Sequence, residues 1–247
     1  MVLKEGEVLN DLLGFEGLKI IQHPEMFNFS LDSTLLADFV VITKRINTIL
    51  DLGTGFAPIP LMLSRKTAKP IVGVEIQQDV SDVAKRNVKL NELDNQITVL
   101  NEDIKNLKSH FDKNSFNLIT CNPPFFKHKE TSNINKNDYK TIARHEVKVN
   151  LKGIVDMAAY LLQDKGHFVL VHRPERLQEI ITLFMANSLE MKRLRFIHPK
   201  QGEDAYMVLI DAVKRGNKGL KILPPLIVHN HQGYTQEALV IFNVESK

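Results

Sequence analysis

The chain has 247 residues, of which 43% are hydrophobic and 25% charged, with a net charge of +3 and one cysteine. Those proportions are ordinary for a soluble globular protein and give enough chain for one large α/β domain, with or without appendages. They exclude an internal disulfide framework and a cysteine-based zinc site of usual form; no apolar run approaches the ~18 residues of a membrane span.

Met1 to Leu13 carries Lys4, Glu5, Glu7 and Asp11 and lacks a signal-peptide core, so a cytoplasmic location is expected. A helix is expected from Asp32 to about Thr43. From Asn47 onward β-like runs alternate with helical patterns, which argues for a parallel sheet with crossover helices. The first run, Ile46 to Asp51, ends in glycines. The second, Ile71 to Glu75, feeds a helix in which Val80, Val83, Ala84 and Val88 recur at helical spacing. A third, Ile97 to Leu100, stops at Asn101-Glu102-Asp103, and a fourth spans Phe116 to Cys121. A helix near Leu151 to Leu162 and a Lys165-Gly166 turn precede a fifth run, His167 to His172. Pro174 suits the first turn of a helix running to about Ser188. Met191 to His198 and Ala205 to Val213 read as a strand pair around Gly202, and Leu220 to Val228 and Ala238 to Phe242 as further β segments.

The most informative stretch is Asn122-Pro123-Pro124-Phe125, just past the fourth run. Two prolines fix two φ angles and push the residues before them to extended conformations. The stiff turn that results can present a side-chain amide, a carbonyl and an aromatic face in fixed places. Those parts suit a planar amine: two acceptors for its N–H groups and a ring to stack on its π system. The lone pair of such an amine is delocalised. Acceptors at the Asn122 side-chain oxygen and the Pro123 carbonyl would favour a pyramidal nitrogen and stabilise its developing positive charge. The plainer alternative is a rigid loop that ends a strand.

Asp51-Leu52-Gly53-Thr54-Gly55 follows the first run, where glycines let the backbone approach a ligand. Pro58 stands where a dinucleotide fingerprint would place its third glycine, which weakens an NAD reading. Asp51, Glu75 and Asp103 fall at the carboxyl ends of three successive strands, where ligands bind in open α/β sheets. Each can also be read as a helix cap or a solvated strand end. Together with the glycines they suit a nucleoside with a cationic tail: Glu75 accepting from the ribose hydroxyls, Asp103 from the adenine amine. The sulfonium donor S-adenosylmethionine fits that charge. Lys127 to Asn150 is a long polar segment rich in Lys and Asn, read as a functional loop from its place after the Asn-Pro-Pro-Phe turn or, more plainly, as a solvated or disordered one. The nine histidines show no metal spacing.

These residues resemble the class I S-adenosylmethionine-dependent methyltransferases of the amino-methylating branch, and more closely the bacterial tRNA1(Val) adenine-N(6)-methyltransferase family. The resemblance runs through Phe29 to Ala37, Asp51 to Gly55, Val74-Glu75, Glu102-Asp103, Asn122 to Phe125, Ala143 to Glu146, His172 to Arg176 and Leu223 to Leu226. It implies a Rossmann-like, seven-stranded, mostly parallel sheet with an antiparallel C-terminal hairpin and no catalytic metal. Residues 1–45 would be an N-terminal appendage packing on the cofactor site and 46–247 the methyltransferase domain. Asp51, Gly53, Thr54 and Gly55 would hold the methionine part of the donor, Glu75 the ribose and Asp103 the adenine. The segment of Asp32 would act as a lid. Asn122, Pro123 and Phe125 would hold a flipped base, with Phe126 as a second wall or a core residue. Lys127, Lys129 and Arg144 would meet substrate phosphate, and Arg173 either meets it too or is a surface arginine at a helix start. The chain departs from its relatives at Phe56-Ala57-Pro58, where a small polar residue and a further glycine are more usual. Other acceptors remain open: a DNA adenine, a release-factor glutamine, or no turnover at all in an RNA-binding module. The oligomeric state is open too.

Overall fold

The computed structural model describes residues 3–12, 15–23, 31–123 and 150–242. Strands β1 (Val8–Asp11) and β2 (Lys19–Gln22) form an antiparallel ribbon, followed by α1 (Leu31–Phe39). The alternating region comprises β3 (Ile49–Leu52), α2 (Pro58–Ser64), β4 (Ile71–Glu75), α3 (Gln78–Leu90), β5 (Ile97–Asn101), a 3-10 helix (Ile104–Ser109) and β6 (Phe116–Cys121). It continues with α4 (Leu151–Leu161), β7 (Leu162–His172), α5 (Leu177–Ala186), β8 (Leu189–Lys200) and β9 (Met207–Lys214). Two short strands, β10 (Lys221–Ile222) and β12 (Gly233–Tyr234), flank β11 (Leu226–Asn230), and α6 (Gln236–Phe242) follows.

Strands β3 to β9 form the expected seven-stranded core, in the order β8-β9-β7-β6-β3-β4-β5. All of it is parallel except β9, which runs antiparallel to both β7 and β8. Beyond β8 the sheet continues with β10 and β11 in parallel and β12 antiparallel to β11. Every residue of β3 is buried, as expected of a central parallel strand covered on both faces. One apolar layer gathers α1, α2, α3, α6 and the β1–β2 ribbon; the other lies beneath α4 and α5.

The N-terminal ribbon is stitched to α3. The buried Asn87 amide accepts from Ile21 N at 2.6 Å and donates to Ile21 O and Phe56 O, each at 3.0 Å. Asn91 makes a second pair with the Lys19 backbone, and Arg86 pairs with Glu7.

Three elements differ from the sequence expectation. Helix α1 stops at Phe39, short of Thr43, ahead of a Val40-Val41-Ile42-Thr43 run of poor helix formers. Its end is sealed by Lys66 Nζ, which donates to Ala37 O at 2.7 Å, Asp38 O at 2.8 Å and Val40 O at 3.2 Å. Strand β7 starts at Leu162 rather than His167 and absorbs the Lys165-Gly166 turn as an irregularity, Lys165 taking φ +66°. Ala238 to Phe242 is helix, not strand. Thr235 caps it, its backbone carbonyl accepting from Leu239 N at 2.9 Å and its hydroxyl from Ala238 N at 3.3 Å, and Ala238 and Phe242 are buried on one face.

Candidate active site

The sheet register decides what meets what. Leu52 lies beside Val74 and Cys121, and Glu75 beside Asn101, so β3, β4, β5 and β6 end on one edge. The chain order reverses between β3 and β6, which places the crevice of an open α/β sheet at their carboxyl ends. Gly53, Glu75, Asp103 and Asn122 all stand on that edge.

Gly53 and Gly55 have φ of +70° and +56°, and a Cβ on either would meet no heavy atom within 4 Å. Backbone therefore faces open space at both positions, with no side chain in the way. Glu75, 6% exposed, braces this loop from behind: its carboxylate accepts from Gly55 N and Gln77 N, each at 3.0 Å. Burial raises its pKa, and these backbone N–H groups pull it back. The Ile76 N–H adds to the same pull on the carboxylate.

Asp51 and Thr54 point inward. Asp51 is fully buried; its Oδ1 accepts from Thr120 Oγ1 at 2.6 Å. Its carboxyl is pushed up to about 7, chiefly by burial, with Glu75's charge adding and the Thr120 and Thr54 hydroxyls drawing it down. Asp51 Oδ2 and Thr54 Oγ1 are nonetheless buried without a partner of hydrogen-bonding geometry. Thr54 packs so closely on β4 that a Cβ on Gly73 would fall 2.8 Å from Thr54 Oγ1. Its own N–H is spent on Val74 O at 2.8 Å. Asp103 is half-buried and caps the 3-10 helix, Oδ1 accepting from Lys105 N at 2.9 Å, while no group among the described residues donates to Oδ2. The neighbouring Glu102 is held near 2 by Asn106, the Asp103 N–H and His110.

Asn122 is half-buried and Pro123 buried. Asn122 Nδ2 donates to Ser33 Oγ at 3.0 Å, and among the described residues no group donates to Oδ1. Cys121 is buried in β6, its thiol pushed well up by burial and by Asp51. Asp32 lies half-buried in the first turn of α1, close enough to Tyr206 to raise its phenol; burial does more, and the phenol reaches about 12. Arg173 Nη1 donates to Tyr206 O at 2.8 Å, joining the end of β7 to the start of β9. Phe125, Phe126, Lys127, Lys129 and Arg144 lie outside the described residues, as does the rest of the polar loop up to residue 149.

Two contacts escaped the sequence reading. Thr120 reaches Asp51 only through strand pairing, and Ser33 reaches Asn122 from 89 positions away. Ser33 falls in the Phe29–Ala37 stretch that carries the resemblance, but no spacing rule ties it to Asn122.

Residues 17–191 match the methyltransferase small domain family. The chain belongs to this family. Among curated relatives of this methyltransferase, the tRNA1(Val) (adenine(37)-N6)-methyltransferase of Tolumonas auensis is 28% identical over 182 residues, 72% of this chain and 73% of that one. A putative protein N5-glutamine methyltransferase of Methanocaldococcus jannaschii is 33% identical over 124 residues, 50% of this chain and 59% of the other. In fold, the crystal structure of a predicted O-methyltransferase from Agrobacterium tumefaciens aligns with TM-score 0.68 and 23% identity, covering 86% of this chain and 95% of that one. The methyltransferase is thus S-adenosylmethionine-dependent, and the edge fits that donor. Open backbone at Gly53 and Gly55 leaves room for it, and Glu75 at the end of β4 and Asp103 just past β5 follow on the same edge of the sheet. Among the described residues no cluster of His, Cys, Asp or Glu could hold a metal ion, and no helix is long and apolar enough to cross a membrane.

Proposed function

We propose that the methyltransferase modifies the exocyclic amine of an adenine in tRNA, next to the anticodon of a valine-accepting tRNA. One observation carries the choice of an amine acceptor. Asn122 follows the carboxyl end of β6 at the switch point, its Nδ2 bonded to Ser33 and its Oδ1 without a donor among the described residues. An amide oxygen so placed is an acceptor available to an N–H. The choice of tRNA draws on the relatives named as tRNA1(Val) methyltransferases.

S-adenosylmethionine supplies an electrophilic methyl group when bound. Gly53 and Gly55 hold its methionine part by backbone, Glu75 the ribose and Asp103 the adenine through Oδ2. Asp51 and Thr54 act from beneath, shaping the loop. Asn122 Oδ1 and the Pro123 carbonyl accept the two N–H groups of the target amine, orient its lone pair and stabilise the charge that grows on nitrogen. Phe125 stacks on the flipped base, and Lys127, Lys129 and Arg144 hold flanking phosphates.

The test is incubation with labelled S-adenosylmethionine and separate pools of tRNA, duplex DNA and release factor. The labelled product is then digested to nucleosides or amino acids. N6-methyladenosine from the tRNA pool is expected. Label confined to DNA or to a glutamine of the release factor would overturn the substrate and leave the amine chemistry standing. Similarity to the glutamine methyltransferase of M. jannaschii makes the last arm a necessary one.

A further inference from the structure

We infer that Ser33 is a positioning residue for methyl transfer, holding the Asn122 amide so that Oδ1, not Nδ2, faces the acceptor amine. The inference rests on the proposed part of Asn122 as the amine's acceptor. An asparagine amide has an acceptor end and a donor end of nearly equal shape, and a half-turn about its last bond exchanges them. With the wrong end forward, Nδ2 would set its N–H groups against those of the amine, donor against donor.

In the structure Ser33 takes the donor end of that amide. Ser33 is 5% exposed, and its hydroxyl oxygen accepts from Asn122 Nδ2 at 3.0 Å. The hydroxyl is itself fixed, because α1 is anchored at its far end. Lys66 holds three carbonyls there. Arg193 donates to Phe39 O at 2.9 Å and lies over the Phe39 ring at 4.3 Å, with its guanidinium also paired to the buried Asp211. Helix α1 packs against α2, α6, β7 and β9. Residues on the rear of the sheet thereby hold the orientation of an amide on its working edge.

The experiment is a double-mutant cycle of Ser33→Ala and Asn122→Ala. It is read as single-turnover methyl transfer to whichever acceptor pool the wild type labels. Donor affinity by calorimetry and melting temperature are measured alongside. Ser33→Ala should lower the transfer rate about three- to tenfold, the worth of one neutral hydrogen bond, with donor affinity, acceptor KM and melting temperature unchanged. In the Asn122→Ala background the same change should cost less than about twofold, since the amide it orients is gone. A full rate in Ser33→Ala, or an equal loss in both backgrounds, would overturn the positioning role while the Asn122 reading survives. Wild-type turnover in Asn122→Ala alone would overturn that reading and this inference with it.

Discussion

Replacing Asp51 by Asn tests whether the central acid of β3 is held against its own charge. The side chain has no exposure, and its carboxyl is pushed up to about 7, against about 3.9 for an unhindered aspartate. An acid whose pKa rises on folding binds its proton more tightly in the native state than in the unfolded chain. Folding therefore bears no penalty from this group below about pH 4 and the full penalty above about pH 7. About three pH units at about 1.4 kcal/mol each give about 4 kcal/mol as an upper bound. Asparagine keeps the shape and the Thr120 hydrogen bond but does not titrate. Urea unfolding of both proteins in matched buffers from pH 4 to 8 gives the stability difference directly. The variant should gain on the wild type steadily between about pH 4 and 7 and level off above. Changes in packing add a constant offset, and titrating groups uncoupled to Asp51 cancel in the difference, whereas relief of the Glu75 repulsion counts as part of the same penalty. A difference flat with pH would refute the argument, because the carboxylate would then be solvated or paired in the native state.

Further outcomes follow from other positions. Glu75→Ala removes the brace of Gly55 N and Gln77 N together with the proposed ribose acceptor, so calorimetry should show S-adenosylmethionine binding weakened about tenfold or more. Asn87→Ala strips three buried hydrogen bonds from Ile21 and Phe56. Chemical denaturation should report a loss of about 2–4 kcal/mol, and a loss under 1 kcal/mol would mean that water replaces the amide. Ala57, fully buried at φ +66°, sits where glycine is favoured; Ala57→Gly should be neutral or stabilising by up to about 1 kcal/mol, read as a higher melting temperature. Neutralising Lys127, Lys129 and Arg144 together should weaken tRNA binding and flatten its salt dependence, leaving donor affinity intact; an unchanged salt slope in filter binding would remove these residues from the RNA contact.

How much could be read from the chain depended on how far apart the deciding groups lie. Strand β6 was legible, because an apolar run ended by Asn-Pro-Pro carries its own stop signal. The parallel sheet followed from alternation, and its seven strands and antiparallel hairpin from the resemblance, whereas the strand order came only from the structure. Ala238 to Phe242 misled because five mostly apolar residues suit either a buried strand or one helical face, and the Thr235 cap decides. Among site residues, the acids at three strand ends were visible as a pattern, but the pattern says nothing of direction. Asp51 turns beneath the glycine loop because strand pairing offers it the Thr120 hydroxyl, and Asp103 spends one oxygen as a helix cap. Ser33 was silent because its only meaning is a partner far along the chain.

The stitching of the β1–β2 ribbon to α3 has a consequence for synthesis. Ile21 and its partner Asn87 are 66 residues apart. At roughly 5–20 residues per second, they leave the ribosome about 3–13 s apart. A two-stranded ribbon is marginal on its own in water. During that interval Ile20 and Ile21, fully buried in the finished protein, have nothing to cover them, and the ribbon offers an unpaired edge to any neighbouring chain. A nascent chain stalled before α3 would therefore be a sticky one, and the amide of Asn87 marks the point in translation at which that hazard closes.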